Sequence, residues 1–165
     1  MEKFDYIICG AGASGLLLSN AFISDKFFND KKILIIEREN KNVNDKTFGF
    51  WNDKESVLDE MVFKEWEFAE YKDSSYYNIF LLNPYKYKMI KSNQFYSHIG
   101  NKILKASNFK YLNSNINEID EKNNIVKTDS GEFSSSIIFS SIYNEVTFKK
   151  YPLLKQHFIG WTIET

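Results

Sequence analysis

The sequence predicts an α/β fold: a parallel, doubly wound unit with an antiparallel, aromatic-rich sheet inserted into it. Three observations predict this. Two apolar runs, Phe4–Cys9 and Ile33–Glu37, flank a helix-spaced segment in a β-turn-α-β pattern. After that unit the chain changes character, and Val62 to Tyr96 holds eleven aromatic residues alternating roughly with period two. Near the end, SIIFSS at Ser136 to Ser141 reads as a buried strand returning to the parallel sheet.

Each element follows from its residues. FDYIIC, Phe4 to Cys9, is short, apolar and rich in strand formers. In LLLSNAFIS, Leu17, Ala21 and Ser24 fall at helical spacing, with Leu18 and Phe22 beside them. Lys31-Lys32 opens the second strand, ILIIE, and the polar RENKNVNDK after it reads as a loop. VFKEWEFAEY and YYNIFLL predict two or three antiparallel strands, broken at Asn83-Pro84, within an insertion over about residues 52–92. Phe95, Ile99, Ile103 and Ala106 form a helical stripe. Phe109 to Ile119 and Asn124 to Thr128 predict short strands, with a turn at Asp129-Ser130-Gly131. The closing QHFIGWTIET alternates like the opening of another strand.

The chain has 165 residues, 43% of them hydrophobic, enough for one domain with a real core. A net charge of -1 argues against nucleic-acid binding, which needs a basic surplus. The single cysteine, Cys9, sits in an apolar run, as a buried thiol in a reducing compartment would. Met1-Glu2-Lys3 leads straight into strand-like sequence, so no signal peptide is expected, and no stretch is apolar enough to span a membrane. With only His98 and His157 present, no histidine-based metal site is expected.

Gly10-Ala11-Gly12-Ala13-Ser14-Gly15 is GxGxxG, placed between a strand and a helix. Gly10 permits the tight turn, Gly12 lets a pyrophosphate approach the backbone, and Gly15 lets the helix pack closely on the sheet. The helix N-terminus offers free N–H groups and partial positive charge to phosphates. Glu37 ends the second strand about 20 residues further on, where a carboxylate accepts hydrogen bonds from ribose hydroxyls. That carboxylate argues against a 2′-phosphate. Arg38 could offset it, although an extended backbone turns its side chain the other way. The unit is therefore a Rossmann-type FAD/NAD(P)-binding unit that takes FAD or NAD rather than NADP. The inserted antiparallel strands favour FAD by fold analogy, since dehydrogenases normally continue with further βα units.

DYIICGAGASGLLL, ILIIERE, NDKTFGFW, YKMIKSNQFYSHI and the distal QHFIGW together resemble the N-terminal part of bacterial lycopene cyclases of the FAD/NAD(P)-dependent type. That family shows a DRTWCFW-like stretch after its second strand. Here it is Asp45 to Trp51, with Lys46 for Arg, Phe48 for Trp and Gly49 for Cys. The resemblance covers nearly the whole chain. It implies a cofactor domain with part of a substrate domain over residues 1–165, lacking the family's C-terminal part.

The resemblance further implies cyclisation of the ends of lycopene to β-rings in carotenoid biosynthesis. That isomerisation has no net redox change, yet uses reduced FAD with NAD(P)H as electron source. It implies an apolar carotenoid partner and a cytoplasmic protein peripheral at the inner face of the membrane. Protonation of the polyene demands an acid, a dry apolar tunnel and an electron-rich neighbour for the cation. The family's acids lie in its C-terminal half, so the catalytic residues are unknown here and this chain alone is not expected to cyclise lycopene. Lys46, beside Asp45, and Ser141, beside Ser140 at the tip of the return strand, join Gly10–Gly15, Glu37 and Arg38 as expected cofactor contacts. Trp51, His157, Phe158 and Trp161 are expected substrate-side residues. Two other readings stay open: another FAD enzyme, such as a hydroxylase or a geranylgeranyl reductase-like protein, or a non-catalytic dinucleotide-binding fragment. The aromatic belt can line a tunnel or simply pack a sheet on a core.

Overall fold

The computed structural model describes residues 1–142, with Pro152 and Leu154. In chain order the elements are β1 (Glu2–Cys9), α1 (Ala13–Ser24), β2 (Ile33–Glu37), β3 (Thr47–Asn52), β4 (Lys64–Trp66), β5 (Phe68–Lys72), β6 (Tyr77–Leu81), β7 (Lys86–Lys91), α2 (Ser92–Lys105), β8 (Phe109–Asn113), β9 (Ile116–Asp120), β10 (Ile125–Thr128) and β11 (Gly131–Ser140).

The main sheet runs β8-β2-β1-β11-β10-β9. Its first four strands are parallel, and β10 and β9 continue it antiparallel. All five residues of β2 are buried, as a central parallel strand covered on both faces must be. Ile8, Ile33 and Ile35 pack with α1 and α2, whereas Ile7, Cys9, Leu34 and Ile36 pack with Val126 and Phe133. The chain leaves β1 toward β2 and β8 on one side and returns as β11 on the other. That reversal puts the crevice for a ligand at the carboxyl ends of β1 and β11.

Helix α1 buries Gly15, Leu16, Ser19, Asn20 and Phe22. Of the sequence stripe, Leu17 packs partly buried against the core, whereas Ala21 and Ser24 are exposed. The reason is size: glycine and serine let the helix sit deep, and Ser19 Oγ satisfies itself on the Gly15 carbonyl at 2.8 Å. Phe22 stacks on Phe28 at 3.9 Å, and Tyr6 meets both rings at 5.5 Å.

The insertion makes two separate sheets, β3-β7-β4 and the hairpin β5-β6. It holds four strands between Val62 and Tyr96 rather than two or three, and it recruits TFGFWN as β3, pairing Trp51 with Tyr87. Alternation sorts β3: Phe48 meets Phe95 on α2 at 5.3 Å, while Gly49 and Trp51 face outward and the Tyr87 hydroxyl covers Gly49. The hairpin instead leaves Phe68, Tyr71, Tyr77, Ile79, Phe80 and Leu81 between 43% and 60% exposed. Among the described residues, no helix is long and apolar enough to cross a membrane.

Cys9 is fully buried, and burial pushes its thiol up to about 12 from the ordinary 9.0. The folded chain then keeps a proton that the unfolded chain releases. That stabilisation is complete below about pH 8.5 and is lost as pH rises through the folded value. From about pH 9 to 11, the urea-unfolding free energy of the wild type should fall more steeply than that of Cys9→Ala, by up to about 1.4 kcal/mol per pH unit. Parallel slopes would show that burial does not hold the thiol's proton.

Candidate functional site

At the carboxyl ends of the parallel strands lies a cavity of about 440 Å³, lined by Gly10, Gly12, Ile36, Glu37, Arg38, Glu39, Lys41, Lys46, Ser114, Asn115, Ile116, Ser141 and Ile142. Four segments build it: the turn from β1 to α1, the segment after β2, the tip of β8 and the tip of β11. The fold itself ties them together. Gly10 N–H donates to the Ile36 carbonyl at 2.8 Å, Ser114 N–H to the Glu37 carbonyl at 3.0 Å, and Ser141 N–H to the Cys9 carbonyl at 3.0 Å.

The three glycines are required for different reasons. Gly10 has φ +99°, a left-handed conformation, and a Cβ there would sit 2.6 Å from Ser141 Oγ. A Cβ on Gly15 would collide with the Gly10 carbonyl oxygen and stand 3.3 Å from Ile8 Cγ2. Around Gly12 a Cβ would meet nothing within 4 Å, and its backbone is ordinary extended chain at φ -73°. The open space at Gly12 belongs to the cavity, in front of a helix whose first turn has no side-chain cap and no acidic residue. That combination fits a phosphate group.

Glu37 is 9% exposed. Its Oε2 accepts the Ala11 N–H at 2.7 Å, its Oε1 accepts the Glu39 N–H at 3.1 Å, and Lys41 Nζ lies 3.8 Å from that same Oε1. The carboxylate thus holds the glycine turn against the end of β2 and still borders the cavity. Lys41 also pairs with Glu39 at 3.0 Å, and that bond holds the Glu39 carboxyl below its ordinary range. Behind this wall, burial pushes the Tyr111 hydroxyl up to about 12, aided by the Glu37 charge, so it stays protonated. Three cations, Arg38, Lys41 and Lys46, border the space with two carboxylates. The residues present therefore suit a ligand with a pyrophosphate and a ribose.

Of the residues expected from sequence, Gly10, Gly12, Glu37, Arg38, Lys46 and Ser141 line the cavity. Ala11 holds Glu37 through its N–H, Gly15 supports the turn, and Ala13 and the exposed Ser14 start α1. Arg38 is exposed, lies 3.4 Å from Glu39 and borders the same cavity as Glu37. Trp51 stands apart, 57% exposed on the outer face of β3, 4.9 Å from Tyr87. His157, Phe158 and Trp161 lie outside the described residues. Sequence reading missed Lys41, Ser114 and Asn115, which sit in loops without periodicity, and the buried Ser92. Its only signal was a serine opening a helix.

Residues 5–165 match the family described as lycopene cyclase protein. The chain belongs to that family. No curated protein matches it by sequence. Among solved structures, the lycopene cyclase-family chain is similar to PqsL, a probable FAD-dependent monooxygenase from Pseudomonas aeruginosa. The TM-score is 0.70 at 12% identity, over 95% of this chain and 48% of that one. A flavin-dependent brominase follows with TM-score 0.66 at 13% identity, over 90% and 40% of the two chains. The p-nitrophenol 4-monooxygenase PnpA from Pseudomonas putida has TM-score 0.63 at 14% identity, over 85% and 41%. At such identities the likeness is one of fold. The chain spans about half the length of PqsL.

Two glycine variants separate support from access. Gly12→Val should cost no more than about 1 kcal/mol, because a Cβ there enters open space and the main loss is that of glycine at the helix N-cap. Gly15→Ala should cost roughly 3 kcal/mol, because backbone must move to admit the methyl. Chemical unfolding of both proteins checks this, and the reverse order would refute the packing described.

Proposed function

We propose that this lycopene cyclase-family chain binds FAD through the cavity at the glycine turn and contributes the cofactor side of an enzyme that cyclises the ends of lycopene to β-rings. The observation that carries the FAD reading is the open space at Gly12, bounded by an uncapped helix N-terminus, the Glu37 carboxylate and three cations. In this reading the N–H groups of Ala13 and Ser14 and the Lys46 ammonium meet the pyrophosphate. Glu37 accepts from the adenosine ribose, and its charge disfavours a 2′-phosphate. When bound and reduced, with NAD(P)H as electron source, FAD would supply an electron-rich partner for the cation formed during ring closure, without net redox change. The chain's own part in that chemistry is to hold the dinucleotide and keep it oriented.

The carotenoid side rests on the family and on the exposed aromatic face of β5 and β6. An aqueous surface has no use for so many rings. That face suits an apolar polyene or the membrane surface that delivers it, consistent with a peripheral cytoplasmic protein. A second reading, an FAD-dependent hydroxylase, is favoured by the fold shared with monooxygenases. Product analysis separates them: β-rings without added oxygen for a cyclase, hydroxylated product for the alternative.

Titration of the chain with FAD, followed by flavin fluorescence, should show saturable binding that Gly12→Val abolishes while leaving the fold intact. Glu37→Gln should weaken binding about tenfold, through loss of a charge-assisted hydrogen bond. Stoichiometric flavin on purified Gly12→Val would refute the site.

A further inference from the structure

We infer that Ser92 is a positioning residue for the dinucleotide site, acting through Lys46; this rests on the FAD reading above. Ser92 opens α2, is fully buried, and does not line the cavity. It nevertheless holds the loop between β2 and β3 from several sides. Its Oγ donates to Asp45 Oδ1 at 2.9 Å and accepts the Lys46 N–H at 3.0 Å. Its own N–H donates to the Lys46 carbonyl at 3.1 Å. Weaker contacts at 3.4 Å reach the Val43 carbonyl and Asn44 Oδ1. Both backbone polar groups of Lys46 are thus bound by one residue, and that lysine is a wall of the cavity.

A lysine side chain is long and flexible, so where its ammonium acts depends on where its backbone is held. Asp45 completes the arrangement. Burial pushes its carboxyl up, but the Ser92 hydroxyl and further hydrogen bonds outweigh that and hold it below the ordinary carboxylate range. It therefore stays ionised as the acceptor of the Ser92 proton. The hydroxyl's other role, accepting the Lys46 N–H, then follows from its orientation. Removing the hydroxyl releases the Lys46 N–H and Asp45 without touching the glycine turn or Glu37, and leaves the Lys46 carbonyl bonded to the Ser92 N–H.

The test uses ADP, which carries the pyrophosphate and ribose without the flavin. Binding to the full chain is measured calorimetrically at low and high salt, with unfolding followed in parallel. Ser92→Ala should weaken ADP binding about tenfold and flatten its salt dependence to that of Lys46→Met. In a Lys46→Met background, Ser92→Ala should cost stability but no further affinity. A purely structural serine would weaken binding equally in both backgrounds and leave the salt dependence unchanged, which would overturn the assignment. Ser92→Cys, nearly isosteric, gives the same comparison if the alanine protein does not fold. If the wild type binds ADP and Gly12→Val does not, while Ser92→Ala binds like the wild type, only the Ser92 assignment falls. If the wild type binds neither ADP nor FAD, the dinucleotide reading falls and takes this one with it.

Discussion

The depth at which α1 sits on the sheet is set by one contact, Gly15 against the Gly10 carbonyl. With no side chain there, the helix axis approaches β1 closely enough for Ser19 and Phe22 to face the sheet and for Phe22 to join Tyr6 and Phe28. The same approach aims the uncapped helix start at the cavity. A shallower helix would move those N–H groups, and Gly12 with them, away from Glu37. The core and the site therefore share one geometric condition. Glycine is suited to meet it because the nearest obstacle is backbone and cannot rotate away.

Glu37 is the second tie. Its carboxylate ends β2 and bonds across to Ala11, so the strand that borders one side of the cavity also fixes the glycine turn on the other. A neutral side chain of similar size would keep some of this, but a charged acceptor makes the stronger bond to an N–H. The arrangement on the far wall follows the same logic. The Lys46 backbone is placed by a buried hydroxyl on α2, an element remote in sequence, so the insertion between β2 and α2 is coupled to the cofactor side.

The inserted strands obey a different physics from the parallel sheet. Phe48, Met61 and Ile90 enter the shared core and fasten the insertion to α2. Among the described residues the β5-β6 hairpin has no such cover, and a two-stranded hairpin gains little from its own pairing. Its rings therefore lie on an exterior surface rather than in a core.

Much of this was legible in the residues. Short apolar runs carried β1, β2 and the return strand, and a period-3.6 stripe carried α2, because strands covered on both faces read as continuous apolar sequence and an amphipathic helix buries one stripe. GxGxxG and Glu37 specified the turn, because left-handed backbone, close helix packing and phosphate approach each demand a particular residue type. Other features needed the fold. Which face of α1 is buried was not legible, because apolar periodicity cannot weigh how closely small residues let a helix approach. β3 hid in TFGFWN because its pairing partner, β7, comes from the other end of the insertion. Lys41 and Ser114 carry no pattern at all, and Ser92 only that of a serine opening a helix. Their places depend on loops and a helix end converging from distant parts of the chain. The sequence by itself determined the glycine turn and the acid that ends β2, through local backbone chemistry; only the tertiary structure decided which charges surround the cavity between them and what holds those charges, because such contacts are made between segments far apart in sequence.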